Sequence, residues 1–87
     1  MRLVHVLLFG PLRESVGASS VPVKLPPHSC VRDLLRALTA AYPLAATEAV
    51  LARCIVAVND DFAELDTELP SEGTPAVIAV IPPVSGG

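Results

Sequence analysis

Tryptophan is absent from this sequence, and its aromatic residues are two phenylalanines and one tyrosine. A stacking platform for single-stranded nucleic acid needs more rings than that. The core must therefore be built from Leu, Val, Ile and Ala. Net charge is −3, and gripping a phosphate backbone calls for an excess of cations instead. No apolar run approaches the roughly 20 residues that a membrane-spanning helix needs. The opening Met1-Arg2-Leu3-Val4-His5 has no small-residue cleavage site, so it reads as a strand rather than a signal peptide. Cysteine is limited to Cys30 and Cys54. Two isolated thiols are too few for a disulfide scaffold, and neither a CxxC nor a nearby His offers metal-ligand spacing. Both are expected to be reduced, half-buried core residues of a cytoplasmic protein.

What is present fits one small domain. The 87 residues are 52% hydrophobic, enough for a real core and too apolar for disorder. The charge is unevenly placed. Arg2, Arg13, Lys24, Arg32 and Arg36 fall in the first 36 positions, whereas Asp60, Asp61, Glu64, Asp66, Glu68 and Glu72 cluster later. The acids are expected to form a solvated loop region, with a docking face for a basic partner as the sharper alternative.

Along the chain, residues 3–9 are apolar at both parities, which predicts a central strand. Gly10-Pro11 ends it, and Arg13–Gly17 reads as a turn or short helical segment. Val21, Val23 and Leu25 alternate with Ser20, Pro22 and Lys24, and Pro22 demotes this strand to an edge. After Pro26-Pro27 a helix opens at Ser29 or Cys30, Ser being the better cap, with Asp33 suited to the first turn. Val31, Leu34, Leu35, Leu38 and Tyr42 make its apolar stripe, and Pro43 closes it. Ala45–Leu51 predicts a short helical turn and Ile55–Val58 a strand. Asn59-Asp60-Asp61 is turn chemistry, Phe62–Leu65 a brief strand, Leu69–Gly73 a turn, and Ala76–Ile81 a last central strand. The order β-β-α-β-(β)-β, with its first and last strands the most apolar, fits an α+β fold. Those two strands would lie parallel at the middle of a mixed sheet, with one main helix across it. This is the β-grasp, or ubiquitin-like, arrangement. Residues 1–81 would form the domain and 82–87 an extended tail.

Catalytic constellations are not found. Gly10 to Gly17 lacks the Gly-Lys-Ser/Thr end of a phosphate loop. His5 reads as a structural side chain on a core strand and His28 as exposed. Neither has a sequence-local nucleophile or acid. The adjacent Asp60 and Asp61 fit a turn better than a metal site. What stands out is the end, Pro82-Pro83-Val84-Ser85-Gly86-Gly87. The prolines stiffen the chain and lead it off the sheet. Gly86 and Gly87 have no Cβ, so their backbone can pass a channel too narrow for other residues. A carboxylate is a poor electrophile until it is activated, for example as an acyl-adenylate. It then yields a thiocarboxylate with a sulfur nucleophile or a conjugate with an amine, and neither needs a catalytic side chain on the carrier.

The chain resembles the small, sulfur-carrying subunits of molybdopterin synthase over nearly its whole length. The matches are Phe9-Gly10-Pro11-Leu12-Arg13-Glu14 after the first strand, Val31-Arg32-Asp33-Leu34-Leu35, Ala57-Val58-Asn59, the late-loop Asp66, Leu69 and Gly73, and Ile81 through Gly87. The Pro-Pro-Val-Ser-Gly-Gly end is highly specific, and the internal matches are individually weak. Thr74-Pro75 departs from the acidic pair common in the family. The resemblance implies that Gly87 is adenylated with ATP by a partner related to ubiquitin-activating enzymes, then thiocarboxylated by a persulfide-bearing donor. Pro82, Pro83, Val84, Ser85 and Gly86 would thread into the synthase large subunit, where sulfur passes to cyclic pyranopterin monophosphate. Phe9, Arg13, Phe62 and Ile81 would dock that partner; core packing is the other reading of Phe9, Phe62 and Ile81, and Phe62, beside a turn and flanked by acids, is the one best suited to exposure. No cofactor is expected on the chain itself, and no nucleic-acid or membrane partner. The alternatives are a carrier for thiamine or cysteine synthesis, a ubiquitin-like protein modifier, or a plain interaction module with an inert tail.

Overall fold

The computed structural model describes residues 2–83. Five strands form one sheet: β1 (Arg2–Leu8), β2 (Ser20–Leu25), β3 (Ile55–Val58), β4 (Asp61–Ala63) and β5 (Ile78–Ile81). Their order is β2-β1-β5-β3-β4. β1 and β5 run parallel, with Val6 beside Ile78 and Leu8 beside Val80. All other pairs are antiparallel. This is the α+β, β-grasp topology the element order predicts. Pro22 lies on an edge strand, where its missing N–H costs no ladder bond.

Three helices connect the strands: α1 (Gly10–Val16), α2 (Val31–Ala41) and α3 (Glu48–Leu51). α2 packs its stripe of Val31, Leu34 and Leu38 into a core shared with Val4, Val6 and Leu8 of β1 and Val21, Val23 and Leu25 of β2. Val56, Ile78 and Val80 complete the sheet's share of that core. Leu35 and Tyr42 are only partly buried at its margin.

Four expectations need correction. The first and last strands are interior to the sheet but covered on one face only. One main helix covers one face, so the apolar residues of the other parity stay open, and Leu3 is 54% exposed. His5 shares that parity and is exposed, not packed in a core. The N-cap of α2 is Cys30, not Ser29. Ser29 is buried and its hydroxyl donates to the Pro26 carbonyl at 2.7 Å, so it is spent on the preceding turn. Finally, the chain turns helical at Gly10 rather than after Arg13, because Pro11 in the first turn presets a helical φ.

The N-terminus of α2 is stitched to the late loop. Val31 N–H donates to the Thr67 carbonyl and Arg32 N–H to that of Leu65. These bonds satisfy amides that a helix start leaves orphaned. Leu69 N–H donates to the Ser29 carbonyl, and the buried Leu69 side chain anchors the loop. The acids from Asp60 to Glu72 are all exposed, as a solvated region requires.

Candidate functional site: an apolar sheet face at the root of the carboxyl tail

The open face of the sheet is assembled by register. Leu7 lies beside Ala79, Ala79 beside Ala57, and Ala57 beside Phe62, so one row crosses four strands. Ile81 lies beside Ile55 in the next row. Phe9 is one residue past Leu8 and Ile81 one past Val80, and Leu8 and Val80 are partners. Phe9 keeps extended backbone angles (φ −134°, ψ 159°), so it continues the open-face parity of Leu7. Exposure is high for apolar side chains: Phe62 78%, Val77 56%, Ile55 50% and Phe9 41%. A contiguous apolar patch of this kind marks an interaction surface rather than an ordinary solvated face.

Core packing, an open reading for Phe62, is thereby ruled out. Phe9 is exposed and Ile81 half-buried. These three share one face. Arg13 is exposed on α1, and its backbone N–H donates to the Phe9 carbonyl at 3.3 Å. Pro82 and Pro83 follow Ile81 directly, so the tail leaves from the edge of this surface. Val84, Ser85, Gly86 and Gly87 lie outside the described residues. Leu7, Ile55, Ala57, Val77 and Ala79 are members of the face that the sequence reading passed over. Their signal was available: both interior strands are apolar at both parities, yet one main helix can cover only one face.

The β3–β4 hairpin that presents Phe62 is fastened to the strand carrying Ile81. Asn59 and Asp60 both adopt positive φ (51° and 73°), the geometry of a two-residue hairpin turn. Asn59 N–H donates to the Val77 carbonyl at 2.8 Å, and Asn59 Oδ1 accepts from Val77 N–H at 2.8 Å. Asn59 Nδ2 also donates to the Pro75 carbonyl at 3.3 Å. The turn thus grips the segment feeding β5 like one more rung of ladder.

Elsewhere the chemistry is sparse. An open groove of about 1460 Å³ runs between α2, α3 and β3–β4, lined by Arg32, Leu35, Arg36, Leu51 and Cys54 among others. Neither Phe9, Gly10, Ile81 nor Pro82 lines it. Cys54 donates its thiol to the Val50 carbonyl at 3.3 Å, and burial pushes its pKa up, which keeps it a poor nucleophile. Cys30 donates both its N–H (3.0 Å) and its thiol (3.4 Å) to Asp33 Oδ2. Both cysteines are free and partly buried. Among the described residues, no group of three His, Cys, Asp or Glu could hold a metal ion. No described helix is long and apolar enough to cross a membrane.

Comparison with known proteins decides the family, because the ThiS family matches residues 6–87. The chain belongs to the ThiS family. It is 33% identical to the molybdopterin synthase sulfur carrier subunit of Chlamydomonas reinhardtii, over 97% of this chain and 98% of that one. The crystal structure of SAMP1 from Haloferax volcanii superposes with a TM-score of 0.83 at 29% identity, covering 99% of this chain and all of the other. A complex of subunits 1 and 2 of molybdopterin-converting factor from Helicobacter pylori includes a chain matching at TM-score 0.62 and 28% identity, covering 99% of this chain and 100% of that one.

Proposed function

We propose that this ThiS-family protein is the sulfur carrier of molybdopterin synthesis, with Gly87 as the atom-carrying residue. The observation that carries the reading is the apolar face of Phe9, Ile81, Ile55 and Phe62, placed at the root of a chain end that reads Pro-Pro-Val-Ser-Gly-Gly. Such a surface suits a partner that must hold the body while it reaches the tail. An adenylating partner consumes ATP, forms the Gly87 acyl-adenylate and releases pyrophosphate. The outer sulfur of a donor protein's persulfide displaces AMP to give an acyl disulfide. A second thiol of the donor then cleaves the S–S bond, releasing the thiocarboxylate and leaving a disulfide on the donor. In the second partner, the synthase large subunit, the sulfur passes to cyclic pyranopterin monophosphate and the carboxylate is regenerated. The subunit pair from Helicobacter pylori and the named sulfur carrier from Chlamydomonas reinhardtii support this pathway over thiamine or cysteine synthesis.

In this reading the carrier supplies a grip surface, a stiff root and a slender reaching end, and the partners supply the catalytic side chains. The thiocarboxylated protein mixed with precursor alone gives no molybdopterin, and adding the large subunit starts the reaction. A dithiolene holds two sulfurs and each carrier holds one, so two charged carriers are consumed per product. Intact-mass measurement of the sulfur-for-oxygen exchange, run beside product counting, tests this. Product without the large subunit, or product while the carrier keeps its sulfur, overturns it. Deleting Gly87 or extending the chain beyond it abolishes adenylation and leaves the melting temperature unchanged.

The likeness to SAMP1, a structure of which elsewhere is described as a small archaeal modifier protein, favours a second reading as a protein modifier. The same activated carboxylate would then meet a lysine amine. Lys24 is the single lysine of this chain and is exposed on the edge strand β2. Covalent chains of this protein would therefore be lost in Lys24→Arg unless they run through the α-amine. A ladder of higher-mass adducts in cells, absent when Gly87 is deleted, separates this reading from pure sulfur transfer.

A further inference from the structure

The parallel register of β1 and β5 does more than build the apolar face. Leu8 lies beside Val80, and one residue on, Phe9 and Ile81 share the open surface. One residue further, Gly10 meets Pro82. Gly10 has φ +57°, and a Cβ built on it would lie 3.2 Å from Pro82 Cγ. That is closer than ordinary van der Waals contact. A lysine or methionine could swing aside along its whole length, whereas the Pro82 Cγ can give only by ring pucker, because the ring is closed onto the backbone and its φ is fixed. Gly10 is equally constrained, because there β1 turns into α1 and Pro11 fixes the next φ. Two stiff corners of the chain therefore lie close together, and the missing side chain of Gly10 leaves room between them. Gly17 and Gly73 also have positive φ, but a Cβ on either would meet nothing within 4 Å. At those positions glycine serves the local backbone. At Gly10 it serves a contact with the root of the tail as well.

We propose that Gly10 is a positioning residue for the carboxyl tail: its bare Cα is the seat of the Pro82 ring, and that seat fixes the line on which the chain leaves the sheet. The consequence for catalysis rests on the proposed function, in which a partner holds the body by the apolar face and must find Gly87. Gly87 is five residues beyond Pro82, and each extended residue spans at most roughly 3.3–3.6 Å. The root sets where the following five residues start and in which direction, and misplacement on the order of 1 Å is enough to slow a positioned reaction markedly.

Gly10→Asn tests the seat, because Asn tolerates a left-handed backbone but brings a Cβ. It is paired with Pro82→Ala, which removes the ring Cγ, and with the double variant. Two readouts are taken. Residual dipolar couplings of the amides of Val84 to Gly87 in the isolated protein need no partner. The rate of adenylate formation with the cognate activating enzyme reads the consequence. In Gly10→Asn the couplings shift and adenylation slows by about tenfold or more. In the double variant both return to the values of Pro82→Ala alone, while the melting temperature stays that of Gly10→Asn. Unmoved couplings, or a double variant whose two effects simply multiply, overturn the proposal. If Gly10→Asn fails to fold, Pro82→Ala alone still decides: opening a gap over Gly10 must shift the same couplings, and failure to do so removes the seat. Couplings that behave as stated in a wild-type protein that no activating enzyme adenylates leave the seat standing and sink the sulfur-carrier reading. A wild type that is adenylated while the couplings stay fixed does the reverse.

Discussion

The two faces of the sheet are built from the same kind of residue and do opposite things. On one, Val4, Val6, Leu8, Val56, Ile78 and Val80 lie under α2 and are buried. On the other, Leu3, Leu7, Ile55, Ala57, Phe62, Val77, Ala79 and Ile81 face outward, four of them half exposed or more. Apolar surface left open in a domain this small gives up folding energy that covering it would have provided. Keeping it open is explicable if another protein covers it. The covered face therefore determines whether the chain folds, and in the proposed function the open face is where the partner docks.

The largest test of that contrast is a matched pair of substitutions. Leu34→Ala on α2, which empties the middle of the covered face, lowers stability by about 2–5 kcal/mol. Phe62→Asp on β4 leaves the melting temperature nearly unchanged, because the ring is already in water. It weakens binding to the synthase large subunit by about 2 kcal/mol or more, the scale of an interface anchor. Denaturant titration of both variants and calorimetric binding of the second read the two effects. A Phe62→Asp protein that unfolds, or that binds as the wild type does, breaks the division of labour between the faces.

Much of the covered side was legible. The alternation of Val21, Val23 and Leu25, the stripe of Val31, Leu34 and Leu38, and the strand Ile55–Val58 all stand where the periodicities put them. The element order gave the parallel pairing of the first and last strands. The open side was misjudged because β1 and β5 are apolar at both parities, and composition does not say which parity a helix covers. Of the two caps open to the sequence, Ser29 and Cys30, propensity ranked the wrong one first. Ser29 is the better intrinsic cap, but its hydroxyl is already engaged by the Pro26 carbonyl in the preceding turn, and cap propensity alone does not register that competition. The tight approach of Gly10 to Pro82 joins residues 72 apart in sequence, which no local pattern encodes.

A medium effect sharpens how the open face is held. The turn Asn59-Asp60 presents Phe62, and its two residues respond oppositely to glycine. Asp60 at φ 73° pays strain that Gly would relieve, so Asp60→Gly raises stability by up to about 1 kcal/mol, less whatever the unfolded chain gains in freedom. Asn59→Gly also fits the turn but loses the side-chain bonds to Val77 and Pro75, and lowers stability by about 1–2 kcal/mol. Thermal melts of the two variants are compared. Destabilisation by Asp60→Gly would show that the Asp60 side chain, not its backbone, holds the hairpin.

The smallest effect concerns the helix that covers the closed face. Asp33 in the first turn of α2 accepts from the Cys30 N–H and thiol. Those bonds first, then the Arg36 and Arg32 charges, hold its carboxyl below the ordinary value of 3.8. The helix dipole works in the same direction. A carboxyl that is more acidic folded than unfolded stabilises the fold while it is ionised. Its contribution is whole above the unfolded value and fades as pH falls below 3.8 through the lower folded value. Asp33→Ala therefore costs stability at neutral pH. The gap between wild type and variant narrows as pH falls below 3.8 and closes once the folded protein's carboxyl is protonated too. Urea titrations across that range measure it. Because the group is only partly covered, the gap is modest, and a variant that tracks the wild type at every pH would mean that the carbonyls of Thr67 and Leu65 hold the start of α2 without Asp33.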